Sequence, residues 1–240
     1  MTAAVLDVKD LSSGYGSLRA VWNASLVASS GDVVAILGPN GAGKSTLVAT
    51  IAGAVRADSG RVELSGADIT RDSCALRMSK GIGWVPEGRN VFLHLSVRDN
   101  LYVSARRAGH KAEFTSLVDD VVQQFPVLGR KYRANGGSLS GGEQQILALA
   151  RLLVRKPSVA MLDEPTVGLA PSIVETLAEA VSMRAATGTA WLISEQNVEW
   201  LKPLATKAYL MEGGRLREGA VHIMEREMLR QSFLGTPRAL

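Results

Sequence analysis

Apolar runs without an interrupting charge recur along the chain at residues 33–37, 82–85, 158–162 and 190–194. Short runs of this kind, bounded by Gly, Pro or polar residues, predict strands buried on both faces. Residues 5–8 and 25–28 read as strands of an antiparallel sheet, with turns at 12–16 and 29–31, and residues 60–64 as a further strand. Elsewhere the period lengthens to that of a helix. The spacing predicts helices over 46–52, closed by Gly53, and over 96–107, 112–125, 172–186, 198–204 and 225–233. Ser140 opens a longer one, with Ile146, Leu147, Leu149, Ala150, Leu153 and Val154 as its apolar stripe up to Pro157. Residues 208–211 and 215–218 flank Gly213-Gly214, a hairpin signature. Strands alternating with helices predict an α/β fold with a mainly parallel sheet. The block from Glu87 to about Gly137 interrupts it as a helical insert. The expected division is a core of residues 1–86 and 155–240 and a helical part of residues 87–154.

Two of the apolar runs end in chemistry. After the first comes Gly38-Pro39-Asn40-Gly41-Ala42-Gly43-Lys44-Ser45-Thr46. It fits the phosphate-binding loop G-x-x-x-x-G-K-[ST], placed between a strand and a helix. The glycines let the backbone wrap an anion, and the helix begins with unpaired N–H groups facing it. Lys44 is expected to reach the outer phosphates of a nucleotide, and the Ser45 hydroxyl to ligate Mg²⁺. The run at 158–162 leads into Asp163-Glu164. Ligands of open α/β sheets bind at the carboxyl ends of the strands, so this pair is expected beside the phosphate loop. There Asp163 would hold Mg²⁺, and Glu164 would polarise the water that attacks the γ-phosphate.

Composition narrows the class. The chain has 240 residues, a net charge of +4, an isoelectric point near 9.4 and one cysteine, Cys74. An internal disulfide and a cysteine metal cluster are thereby excluded. The charge is mildly basic, yet there is no long Lys/Arg block and no aromatic RNA-binding motif, so nucleic acid is not expected as a partner. No apolar run approaches the roughly 20 residues that cross a bilayer, and the N-terminus lacks a signal pattern. A cytoplasmic protein is expected, with other chains supplying any membrane part.

A third element is Leu139-Ser140-Gly141-Gly142-Glu143-Gln144-Gln145. It places a hydroxyl and backbone N–H groups at the start of the long helix, a second anion site. One nucleotide rarely needs two phosphate cradles from one chain, and a head-to-tail dimer solves this by closing the loop over the other subunit's nucleotide. Together with the phosphate loop and Val159-Ala160-Met161-Leu162-Asp163-Glu164-Pro165-Thr166, this sequence resembles the ATP-binding subunit of ABC transporters over essentially its whole length. The resemblance implies a RecA-like P-loop NTPase core with an N-terminal antiparallel β-sheet, a helical subdomain bearing the signature loop, and two ATPs sandwiched in a dimer. It implies that Ser140, Gly141, Gly142 and Glu143 meet nucleotide, and that Tyr15 stacks on adenine.

Three positions depart from the general family pattern. Glu87 stands where a metal-contacting Gln is usual, Ala170 where an Asp is usual, and Gln196 where a catalytic switch histidine is usual. The groups Pro86-Glu87-Gly88-Arg89, Gly168-Leu169-Ala170-Pro171 and Glu195-Gln196-Asn197 together resemble one subfamily, an ATPase subunit of branched-chain amino-acid importers. Two membrane permeases, a second ATPase subunit or a second copy, and indirectly a periplasmic or extracellular solute-binding protein are the partners this implies. The protein would then sit on the inner face of the membrane, with residues 91–95 of the insert facing the permeases. Urea or short-amide importers have similar cassettes. A soluble ABC protein acting on ribosomes or DNA would carry a second cassette or long insertions, and a non-hydrolysing regulatory module would not need Glu164.

Overall fold

The computed structural model describes residues 4–88, 90–107, 109–110 and 112–219. In chain order its strands are β1 (Ala4–Tyr15), β2 (Leu18–Ser29), β3 (Val33–Leu37), β4 (Ala57–Leu64), β5 (Ala67–Asp68), β6 (Ile82–Val85), β7 (Val159–Asp163), β8 (Ala190–Glu195), β9 (Lys207–Glu212) and β10 (Arg215–Gly219). Its helices are α1 (Lys44–Ala52), α2 (Cys74–Ser79), α3 (Val97–Arg107), α4 (Phe114–Gln124), α5 (Pro126–Arg130), α6 (Gly141–Leu153) and α7 (Pro171–Ala186). The strands form one sheet in the order β5-β4-β1-β2-β10-β9-β3-β8-β7-β6. From β9 to β6 every neighbouring pair is parallel, whereas β5-β4-β1-β2 is antiparallel. The halves meet between β10 and β2 through the pair Arg215 and Trp22.

The apolar runs form central strands because both sheet faces are covered. In β3, Val33, Ala35 and Leu37 join one core cluster, while Val34 and Ile36 join the other. Alternate residues of β7 and β8 divide in the same way. The second cluster packs α1 between the two halves of the sheet. The first runs on from the parallel strands into α3, α4 and α6, so the helical insert and the sheet share one core.

Several local expectations shift. Residues 12–15 are strand, not turn: Ser12 and Ser13 are fully buried, bonded to Asn23 (3.0 Å) and Thr50 (2.7 Å), and the hairpin turns at Gly16-Ser17. Residues 198–204 form successive turns rather than a helix, closed by Leu201 and Lys202 amides donating to the Val198 carbonyl. α2 and α5 are too short to show a helical period. The helix expected at 225–233 lies outside the described residues.

α2 carries a buried tie. Arg77, 2% exposed, donates to the carbonyls of Thr50 (2.9 Å), Ile51 (2.8 Å), Thr70 (2.6 Å) and Asp72 (3.2 Å). The first two lie at the end of α1, where the Thr50 carbonyl also takes the Gly53 amide (3.1 Å) and the Ile51 carbonyl relies on Arg77. Arg77→Met keeps most of the volume but removes the donor of the Ile51 carbonyl and one of the two donors of the Thr50 carbonyl. It is expected to cost about 2–4 kcal/mol in denaturant unfolding. A loss well under that would mean that the carbonyls find other donors.

Candidate nucleotide site

The phosphate loop leaves β3 under tight packing. Gly38 has φ +150°, and a Cβ there would lie 2.2 Å from the Met211 carbonyl oxygen. Gly43, the N-cap of α1, has φ +105°, and its Cβ would lie 2.5 Å from the Ala20 oxygen. Only glycine fits at either position. Gly43 has no side chain to cap α1, so the first-turn amides keep their anion-binding capacity. Pro39, Asn40 and Gly41 are exposed, whereas Ala42 and Thr46 are buried. Lys44 is 3% exposed, and its Nζ donates to the carbonyls of Gly38 (2.8 Å) and Pro39 (3.2 Å).

Register aligns the ends of three strands. Leu37 of β3 pairs with Glu195 of β8, and Ser194 of β8 pairs with Asp163 of β7. Asp163 Oδ1 accepts from Ser45 Oγ (3.0 Å) and Ser194 Oγ (2.5 Å). Burial pushes the Asp163 carboxyl above its ordinary range, with the neighbouring Glu164 charge adding to this, although the two hydroxyls pull it down. Glu164 turns the chain off β7 through the left-handed region (φ +46°) and donates its amide to the Ser194 carbonyl (3.0 Å). Its carboxylate pairs with Lys44 Nζ at 3.0 Å. Lys44, Ser45, Asp163 and Glu164, chosen from two distant stretches of sequence, thus form one bonded group.

The other expected residues lie on separate turns and at a helix start. Tyr15 is exposed at the tip of the β1–β2 hairpin, and Gln196 is exposed just beyond β8. Glu87 is exposed in the turn after β6. Ser140 caps α6: its Oγ accepts the Glu143 amide (3.3 Å), and Glu143 Oε2 accepts the Ser140 amide (2.8 Å). Glu143 also pairs with Lys131 at 2.7 Å, which holds its carboxyl below the usual range. Among the described residues, no hydrogen bond or ion pair joins 140–143 to the phosphate loop or to Asp163-Glu164.

Sequence reasoning missed Glu195. This carboxylate is 1% exposed and accepts from Thr166 N (3.2 Å), Thr166 Oγ1 (2.5 Å), Gln196 N (3.0 Å), Asn197 N (3.3 Å) and Trp200 Nε1 (3.3 Å). Burial raises its carboxyl as well. The available signal was an acidic residue ending a strand as apolar as β8.

The family model of the ABC transporter matches residues 21–167, more than half of the chain. The chain belongs to this family. It is 35% identical to the high-affinity branched-chain amino acid transport ATP-binding protein BraG of Pseudomonas aeruginosa, over 96% of this chain and all of that protein. It is also 35% identical to the probable branched-chain amino acid transport ATP-binding protein LivF of Archaeoglobus fulgidus, over 94% of this chain and 96% of that one. The lipopolysaccharide export ATP-binding protein LptB of Haemophilus influenzae is 30% identical over 97% of this chain and 98% of its own length. Among solved structures, the ATP-binding cassette MJ1267 superposes with a TM-score of 0.82 at 25% identity, covering 98% of both chains. The chain is thus an ABC ATPase with a P-loop NTPase fold.

The raised Asp163 carboxyl has a thermodynamic consequence. Its folded form holds a proton to higher pH than its unfolded form. The ionised group therefore costs stability above the raised folded value, and the cost vanishes below the ordinary unfolded value. Asp163→Asn is expected to raise the melting temperature of the nucleotide-free protein near neutral pH. The gain over wild type should shrink as the pH falls through the folded value. Equal melting temperatures at neutral pH would mean that Ser45 and Ser194 already compensate the burial.

Proposed function

We propose that this chain is the ATPase subunit that energises an importer of branched-chain amino acids. The observation that carries the enzymatic part is the bonded group of Lys44, Ser45, Asp163 and Glu164 at the carboxyl ends of β3 and β7. In this reading Lys44 and the first-turn amides of α1 hold the outer phosphates of ATP. Ser45 and Asp163 offer hard oxygen donors 3.0 Å apart, which suits a Mg²⁺ that keeps several waters. Mg²⁺ supplies charge neutralisation at the transferring phosphoryl group. An arriving phosphate competes for Lys44, which loosens the ion pair and leaves Glu164 to polarise water. Gln196 donates to the γ-phosphate and Tyr15 stacks on adenine. Glu87 is a further carboxylate at the metal's margin.

The signature residues Ser140, Gly141, Gly142 and Glu143 act in a head-to-tail dimer on the nucleotide of the other subunit. That subunit is a second ATPase chain or a second copy. Residues 87–154 behave as the helical subdomain and present Phe92, Leu93 and Leu95, which are 37%, 49% and 36% exposed, to two membrane permeases. No helix among the described residues is long and apolar enough to cross a membrane, which fits a peripheral subunit on the inner face. A solute-binding protein acts on it only through the permeases. The solute rests on the 35% identity to BraG and LivF over nearly the whole chain. An export cassette is the second reading, favoured by the likeness to LptB.

Glu164→Gln preserves shape and removes the carboxylate. It is expected to slow ATP hydrolysis about 10²–10⁴-fold while ATP still binds and traps a dimer visible by light scattering. Unchanged turnover would remove Glu164 from its role. For the solute, the assembled transporter in vesicles should hydrolyse ATP faster with a binding protein loaded with leucine, isoleucine or valine. Stimulation by a urea-type solute instead would overturn the branched-chain assignment, and stimulation by a lipid would overturn import.

A further inference from the structure

Glu195 is built like a fork. Its Oε1 takes the amide and hydroxyl of Thr166 and the indole N–H of Trp200, and its Oε2 takes the amides of Gln196 and Asn197. Every donor is neutral, so a buried anion is held by hydrogen bonds alone. That is an expensive way to fill a core position if filling were its purpose. What the carboxylate does, and what an apolar side chain could not, is fix two loops relative to one another. One leads from Glu164 through Thr166 to Val167, which is 60% exposed, and on to the start of α7. The other carries Gln196. Trp200, 9% exposed within the main core, anchors the fork to the body of the protein.

We propose that Glu195 is a positioning residue for hydrolysis, tying the loop that follows Glu164 to the loop that carries Gln196 so that the two move as one. The assignment rests on the reading of Glu164 and Gln196 given above. Because the two carboxylate oxygens are rigidly joined, a shift of the Gln196 amide on contact with a γ-phosphate is passed to Thr166. From there it reaches the exposed segment at Val167. The chain thereby links the state of its nucleotide to a surface beside the catalytic carboxylate.

The test uses the full-length chain and three variants. Glu195→Gln keeps the shape but turns one oxygen into a donor, which must face either the Thr166 side or the 196–197 amides. Thr166→Val keeps the carboxylate and removes the hydroxyl, and it guards against a fold that fails in the first variant. Glu195→Gln is expected to lower kcat about 10- to 100-fold, the scale of a misplaced reacting group, with affinity for a fluorescent ATP analogue unchanged within about twofold. Thr166→Val should lower kcat in the same direction with little change in melting temperature. In the Thr166→Val background the Glu195→Gln change should cost clearly less than it does alone. Wild-type kcat in Glu195→Gln overturns the proposal. So does a parallel loss of affinity and kcat, which a purely structural role would produce, and so does strict additivity of the two changes. A wild-type chain without ATPase activity would instead count against the reading of Glu164.

Discussion

The site depends on placing charge at the ends of strands that carry none. β3, β7 and β8 are buried along their length, and Lys44, Asp163 and Glu195 are themselves 3%, 4% and 1% exposed. A buried charge persists only with partners. Three different arrangements supply them. Lys44 and Glu164 neutralise each other at 3.0 Å. Asp163 is held by two hydroxyls, and Glu195 by five neutral donors. Burial pushes the Asp163 and Glu195 carboxyls upward. Asp163 is the one beside the Ser45 hydroxyl, where a cation would relieve that burden.

The same ends are pinned from the antiparallel side. The Gly214 amide donates to the Ala42 carbonyl (3.0 Å), and the Trp22 amide donates to the Gly214 carbonyl (2.7 Å). Gly214 therefore bridges the phosphate loop to β2 where the two halves of the sheet have their thin join. A Cβ on Gly214 would lie 2.6 Å from the Ala20 oxygen, so the close approach that fixes the loop also fixes the hairpin whose tip carries Tyr15. The position of the base-stacking candidate and the shape of the phosphate cradle follow from one packing constraint.

How much of this was legible follows from how local each signal is. The phosphate loop and the Leu162-Asp163-Glu164 step are written in consecutive residues, and the strands before them are apolar on both faces. Their type and approximate place could be read directly. The antiparallel strands read shorter in the sequence because Ser12 and Ser13 look like turn residues. Their burial depends on Asn23 and Thr50, which are far away in sequence. The roles of Arg77 and Glu195 are hard to read for a related reason. An arginine in a short helix and a glutamate at a strand end acquire their full set of partners only when the fold adds Thr50 and Ile51 to the one and Thr166 to the other. Residues 198–204 carry helical spacing because Val198 and Leu201 face the core, yet the backbone closes as separate turns.

One contact bears on why the proposed dimer would communicate. A Cβ on Gly142 in the signature loop would lie 2.9 Å from Ile173 Cγ1. The start of α6 therefore packs closely on the first turn of α7. α7 is reached from Glu164 through the loop that Glu195 holds at Thr166. On the head-to-tail reading, the signature loop serves the neighbour's nucleotide while Glu164 serves the chain's own. The Gly142–Ile173 packing then joins the two duties within one chain. A displacement begun at Gln196 by one phosphate would reach the cradle of the other through Glu195, Thr166 and α7, with packed or hydrogen-bonded neighbours at each step. A side chain at position 142 would have to push Ile173 aside, so the bare Cα of Gly142 keeps that linkage close.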